Sequence, residues 1–123
     1  MGKTSVAEKL FTSYENSAFF DGDWAWCVNP FSIDDPRLRN GDKTISFALS
    51  TYLNSKFDYV FFSSVVAVDK AIHEAILNDI TAKNYSVICF NLTCSEETYS
   101  NATKNAVPYN KSRHSVSFLF NCM

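Results

Sequence analysis

The stretch Phe57-Asp-Tyr-Val-Phe-Phe-Ser-Ser-Val-Val66 decides the architecture. From Tyr59 to Phe62 it is unbroken by charge, and its residues are aromatic or β-branched. A strand with one wet face alternates apolar and polar residues. A continuous run instead suits a strand covered on both faces, as in a parallel sheet flanked by helices. Tyr85–Leu92 has the same character, and Ala18-Phe19-Phe20 is a shorter relative that runs into Asp21-Gly22-Asp23.

Helical patterns fill the intervals. In Thr4–Tyr14, the residues Val6, Leu10, Phe11 and Tyr14 recur at spacings of three to four. Asp42 is placed to cap a second helix with Ile45, Ala48, Leu49, Tyr52 and Leu53 on its inner stripe. Asp69–Lys83 gives a third, lined by Ile72, Ala75, Ile76 and Ile80, with Asn84 ending it. Thr93-Cys-Ser-Glu96 has the form of a capping box and predicts a fourth over Ser95–Asn105, stopped before Pro108. Ser112–Phe120 reads as a last short helix or a loose tail. Strands alternating with helices predict an α/β fold, a three-layer parallel sheet flanked by helices, in one domain over residues 1–123.

Bulk properties narrow the function classes. The 123 residues carry a formal charge of −2 with cations scattered, so no basic patch argues for nucleic acid. The apolar runs are too short to cross a bilayer. Lys3, Glu8 and Lys9 interrupt the apolar core that a signal peptide needs, so a cytoplasmic location is expected. Cys27, Cys89, Cys94 and Cys122 lack paired spacing and read as buried thiols, and His73 and His114 are isolated from them. The sequons at Asn91, Asn101 and Asn110 read as chance in a chain rich in Asn and Ser.

Two short motifs point to chemistry. Gly2-Lys3-Thr4-Ser5 stands directly before the first helical pattern, where backbone N–H groups at a helix N-terminus attract phosphate. The same tripeptide also arises by chance. Asp21-Gly22-Asp23-Trp24 follows a strand, so both carboxylates fall at the strand's C-terminal end, where open α/β sheets bind ligands. A solvated turn has the same composition. Trp24 and Trp26 lie together in this loop, either to stack on a planar substrate or to close the core. Ser63-Ser64 reaches the same edge, as positioning hydroxyls or as satisfied polar groups at a strand end. His73 and Glu74 read as helix surface.

Four segments in order, GKTSVAEKL (2–10), NSAFFDGDWAWCVNPF (16–31), FDYVFFSSVV (57–66) and YSVICFNLTCSEETYSNATKN (85–105), resemble small P-loop kinases. The nearest likeness is to a bacterial group of nucleotide-kinase-like ATP-binding proteins. It covers Gly2 to about Asn105, and its most specific part is D-G-D-W with W and N-P-F following. The resemblance implies ATP-dependent phosphoryl transfer to a small molecule, a nucleotide or nucleoside among the candidates, with ATP and Mg²⁺ as cofactors. Gly2, Lys3, Thr4 and Ser5 would hold the nucleotide, with Lys3 on its phosphates and Thr4 on the metal. Asp21, Asp23, Trp24 and Trp26 would face the acceptor, with Asp23 as a base.

Departures from the family shape the second expectation. Tyr99–Lys104 has no arginine where the family carries lid arginines, and a group of that kind is worth about 10³–10⁵ in rate. The family's strand and first glycine ahead of the phosphate loop have no counterpart before Gly2. The resemblance therefore implies a domain incomplete at both ends and lacking its central strand. The true start would lie upstream of Met1, or the remaining strands would close on one another, or the product would be unstable. A non-catalytic remnant that folds or binds a partner is the alternative to a kinase. An open sheet edge would in addition promote self-association.

Overall fold

A computed structural model describes residues 2–65, 69–93 and 114–122, with side chains over 4–65 and 69–90. The predicted run around Phe61 forms a strand, β2 (Tyr59–Ser64), and Val60 through Ser64 are all buried. It pairs in parallel with β1 (Ser17–Asp21), matching Phe19 to Phe61 and Asp21 to Ser63. This parallel pair is covered on both sides, which explains why β2 tolerates no alternation.

Helix α1 (Gly2–Ser13) lies on one face. The Tyr14 ring, just past its end, rests 4.8 Å from Tyr59, and Phe11 lies 6.1 Å from Phe19. Thr4, near the other end of the helix, reaches Asp21. Because Tyr59 opens β2 and Asp21 closes β1, α1 runs antiparallel to both strands. Its N-terminus therefore stands at their C-terminal ends.

The opposite face holds the main core. Val60 and Phe62 pack there with Ile45, Leu49 and Leu53 from α2 (Leu38–Leu53) and Ile76 from α3 (Lys70–Asn78). Two serines join these helices without leaving polar groups stranded. The Ser46 hydroxyl donates to the Ile76 carbonyl at 2.9 Å, and Ser50 Oγ accepts the Thr81 N–H at 3.0 Å. Asp69, read in the sequence as the first residue of this helix, instead caps α3, accepting the N–H groups of Ala71 and Ile72. The helix ends at Asn78, short of the predicted Lys83, because the bond to Ser50 draws the chain away at Thr81. Ala75, expected on the packed side, is exposed.

Asp42 does not cap α2. The helix begins a turn earlier, at Leu38, and Asp42 is buried within it. Left-handed asparagines close two connections. Asn16 (φ 51°) precedes β1 and Asn84 (φ 61°) precedes β3 (Tyr85–Thr93), a conformation asparagine adopts more readily than most residues. The Asn16 carbonyl accepts from Asp58 N–H and its amide donates to the Lys56 carbonyl, fastening the starts of β1 and β2.

The sheet is mixed, and this corrects the expectation of a parallel one. Its order is β1-β2-β4-β3, where β4 (His114–Cys122) pairs antiparallel with both neighbours. β1, β2 and β3 consequently all point the same way, with β4 inserted against them. The helix or tail expected over Ser112–Phe120 is this strand. Val116, Phe118 and Phe120 alternate with other residues at the two-residue period of a strand. The helix predicted over Ser95–Asn105 lies outside the described residues.

Candidate functional site

The C-terminal ends of β1 and β2 meet the N-terminus of α1, and three oxygen-bearing side chains converge there. The Thr4 hydroxyl donates to Asp21 Oδ2 at 3.2 Å. Asp21 Oδ1 accepts the Asp23 N–H at 3.0 Å, which starts the 3-10 turn Gly22–Trp26. Asp23 Oδ1 in turn accepts the Val65 N–H at 3.0 Å, tying the end of β1 to the end of β2. Gly22 is required between the two carboxylates. A Cβ at that position would collide with the Phe62 ring and stand 3.3 Å from the Ser63 carbonyl.

Ser63 completes the cluster. In register with Asp21 and alternating with Phe62, it faces the α1 side of the sheet. It is fully buried, and among the described residues its hydroxyl has no hydrogen-bond partner. A buried hydroxyl normally finds a partner. Ser63 thus lies on the face where Thr4 and Asp21 meet. In the sequence Ser63 reads either as a positioning hydroxyl or as a satisfied strand-end group at the edge shared with Asp21; its in-register match with Asp21 becomes visible only once the strands are paired.

The two tryptophans separate. Trp24 is 74% exposed at the turn beside Asp23, whereas Trp26 is 4% exposed. The Trp26 indole N–H is shared by the Leu38 carbonyl and Asp42 Oδ1, each at 3.1 Å, and its ring packs in the main core. Trp26 thus closes the core, and only Trp24 is available to a planar ligand. Of the phosphate-loop residues, Gly2 and Lys3 form the first turn of α1, and Ser5 is exposed. The Lys3 side chain lies outside the described ones.

Burial pushes the Asp42 carboxyl above its ordinary range, partly offset by Arg39, whose Nε lies 3.2 Å away, and by the Trp26 N–H. This group belongs to the core rather than to the edge cluster. Among the described residues no three of His, Cys, Asp and Glu gather as metal ligands. What gathers instead is hydroxyl and carboxylate oxygen, a donor set that suits Mg²⁺ shared with phosphate and water better than a softer metal.

Comparison with protein families, with curated proteins and with solved structures finds no match. Among the described residues no helix is long and apolar enough to cross a membrane.

Proposed function

We propose that this chain is a nucleotide-binding domain of the small P-loop kinase type, which transfers a phosphoryl group from ATP to a small planar acceptor. The observation that carries the reading is the 3.2 Å hydrogen bond between Thr4 and Asp21, made where the N-terminus of α1 meets the C-terminal ends of a parallel strand pair. A helix N-terminus at that edge favours anions, and a hydroxyl and carboxylate beside it favour the accompanying cation. Thr4, Asp21 and Ser63 would hold Mg²⁺, and Lys3 and the first N–H groups of α1 would hold phosphate. Bound Mg-ATP would supply the transferable group and neutralise its charge. Asp23 would orient the acceptor hydroxyl, and Trp24 would stack on its ring.

Isothermal titration with Mg-ATP tests this. Heat of binding that is abolished in Thr4→Ala and Asp21→Asn supports it, and no heat with the folded parent overturns it.

Two observations favour a domain that folds or binds without turnover. Asp21 and Asp23 both serve as local fasteners, accepting from Thr4, from Asp23 N–H and from Val65 N–H. In addition, β4 lies between β2 and β3, the slot that the phosphate-loop strand takes in the family this chain resembles. Equal ATPase rates for the parent and Lys3→Ala would select this second reading.

A further inference from the structure

The outer edge of β3 is unlike the other end of the sheet. β1 is five residues long and terminates in Asp21, with Glu15 and Asp23 close by in sequence. β3 is nine residues long, and Tyr85–Thr93 contains no charged residue, proline or glycine. Such residues are what normally blunt an edge against strand addition. β3 pairs with β4 along one side, and among the described residues nothing pairs with the other. Both of its faces present apolar surface. Val87 is 37% exposed on one, Ile88 45% and Phe90 47% on the other, and Cys89 is exposed as well.

Symmetry restricts what can add to this edge. In an antiparallel pair, directly opposed residues turn the same side of the backbone toward each other, while sequence neighbours turn opposite sides. Two identical strands can therefore pair about a two-fold axis only with one residue opposite its own copy. Full overlap of Tyr85–Thr93 makes that residue Cys89, its midpoint. The same register sets Ile88 opposite Phe90 of the second copy, and Phe90 opposite its Ile88. Aromatic and β-branched cross-strand pairs of this kind are favourable. Nine opposed pairs give about eight to ten backbone hydrogen bonds, as many as a typical stable interface carries. The strand is uncharged, so a second copy meets no like-charge repulsion along it.

We propose that β3 is a homodimer interface, in which two copies join their sheets by antiparallel β3 pairing about a two-fold axis at Cys89. The result is one continuous eight-stranded sheet, two copies of the four-stranded one, with β1 at both outer ends.

Sedimentation equilibrium of the full chain at about 100 µM, with a short bis-maleimide cross-link mapped by peptide mass, tests the proposal. The expected results are a mass twice the 13.9 kDa of the chain and a Cys89-to-Cys89 cross-link between copies. Ile88→Lys puts a charge on each half of the pairing and is expected to weaken the dimer about 100-fold with far-ultraviolet circular dichroism unchanged. If Ile88→Lys does not fold, the cross-link in the parent decides alone. A monomer at that concentration overturns the proposal, including a monomer whose Cys89 resists maleimide because its own residues 94–113 cover the edge. A dimer lacking the Cys89 link, or one that a folded Ile88→Lys leaves intact, also overturns it.

Discussion

Gly41→Ala is expected to destabilise the protein, although glycine inside a helix ordinarily costs stability. On an exposed helix this change gains about 1 kcal/mol. In α2, however, a Cβ on Gly41 would come within 2.7 Å of the Ala25 carbonyl oxygen, 2.7 Å of Trp26 Cδ1 and 2.8 Å of Trp26 Nε1. None of these can yield freely. The carbonyl is backbone, and the indole is held by the Leu38 carbonyl and Asp42. Relief requires α2 to move off the 3-10 turn or the indole to leave its acceptors. Overpacking of this kind costs about 1–3 kcal/mol, and each lost hydrogen bond about 1 kcal/mol more. These terms exceed the helix gain, leaving a net loss of about 1–3 kcal/mol. For a chain of this size that lowers Tm by about 4–12 °C. Urea and thermal unfolding followed by near-ultraviolet circular dichroism, which reports the tryptophan environment, measure it. Thr44→Ala, on the exposed side of the same helix, supplies the control with a small gain. A Tm for Gly41→Ala equal to or above that of the parent would refute the close seat of Trp26 against α2.

Asp42→Asn keeps an acceptor for the Trp26 N–H while removing a carboxylate whose pKa burial has raised, so it should stabilise the protein at neutral pH. The sign follows from linkage: the native state binds this proton more tightly than the unfolded chain. The parent therefore gains stability as pH falls from the raised folded value toward the ordinary 3.8, and loses it as pH rises through the folded value. Urea titrations of parent and variant across that window should converge toward low pH, and a constant difference would contradict the assignment. Lys56, exposed with φ 61°, should gain about 1 kcal/mol on replacement by glycine, read as a higher urea midpoint. Asp69→Ala, which strips the cap from α3, should lose about 1 kcal/mol in the same assay.

The parallel pair was legible because β2 is a pure case: an apolar run with no alternation has to be covered twice. What the sequence hid was anything set by a distant partner. Asp42 resembles a cap by its position before Ile45, but a buried indole claims it instead. Trp24 and Trp26 look equivalent, two residues apart, until the turn sends one outward and the other inward. The alternation in Ser115–Phe120 was present to be read, but its neighbours in the sheet lie far back in the chain. At the candidate site, Thr4, Asp21 and Asp23 were all singled out, and their hydrogen-bonded proximity agrees with a common edge. Ser63 could not be ranked above Ser64, since both are strand-end hydroxyls until pairing assigns each a face.

The position of β4 has a consequence for how the molecule is made. It is the last described strand to leave the ribosome, yet it stands inside the sheet between β2 and β3. While the chain is growing, β1, β2 and the helices packed on them can assemble, but β3 has nothing in the sheet to join. Folding therefore cannot nucleate locally and simply spread along the chain; its final step brings together segments of high sequence separation, which is intrinsically slow. Through that interval none of the described strands pairs with the uncharged β3 along either edge, a period in which a chaperone binding extended apolar segments would find its target.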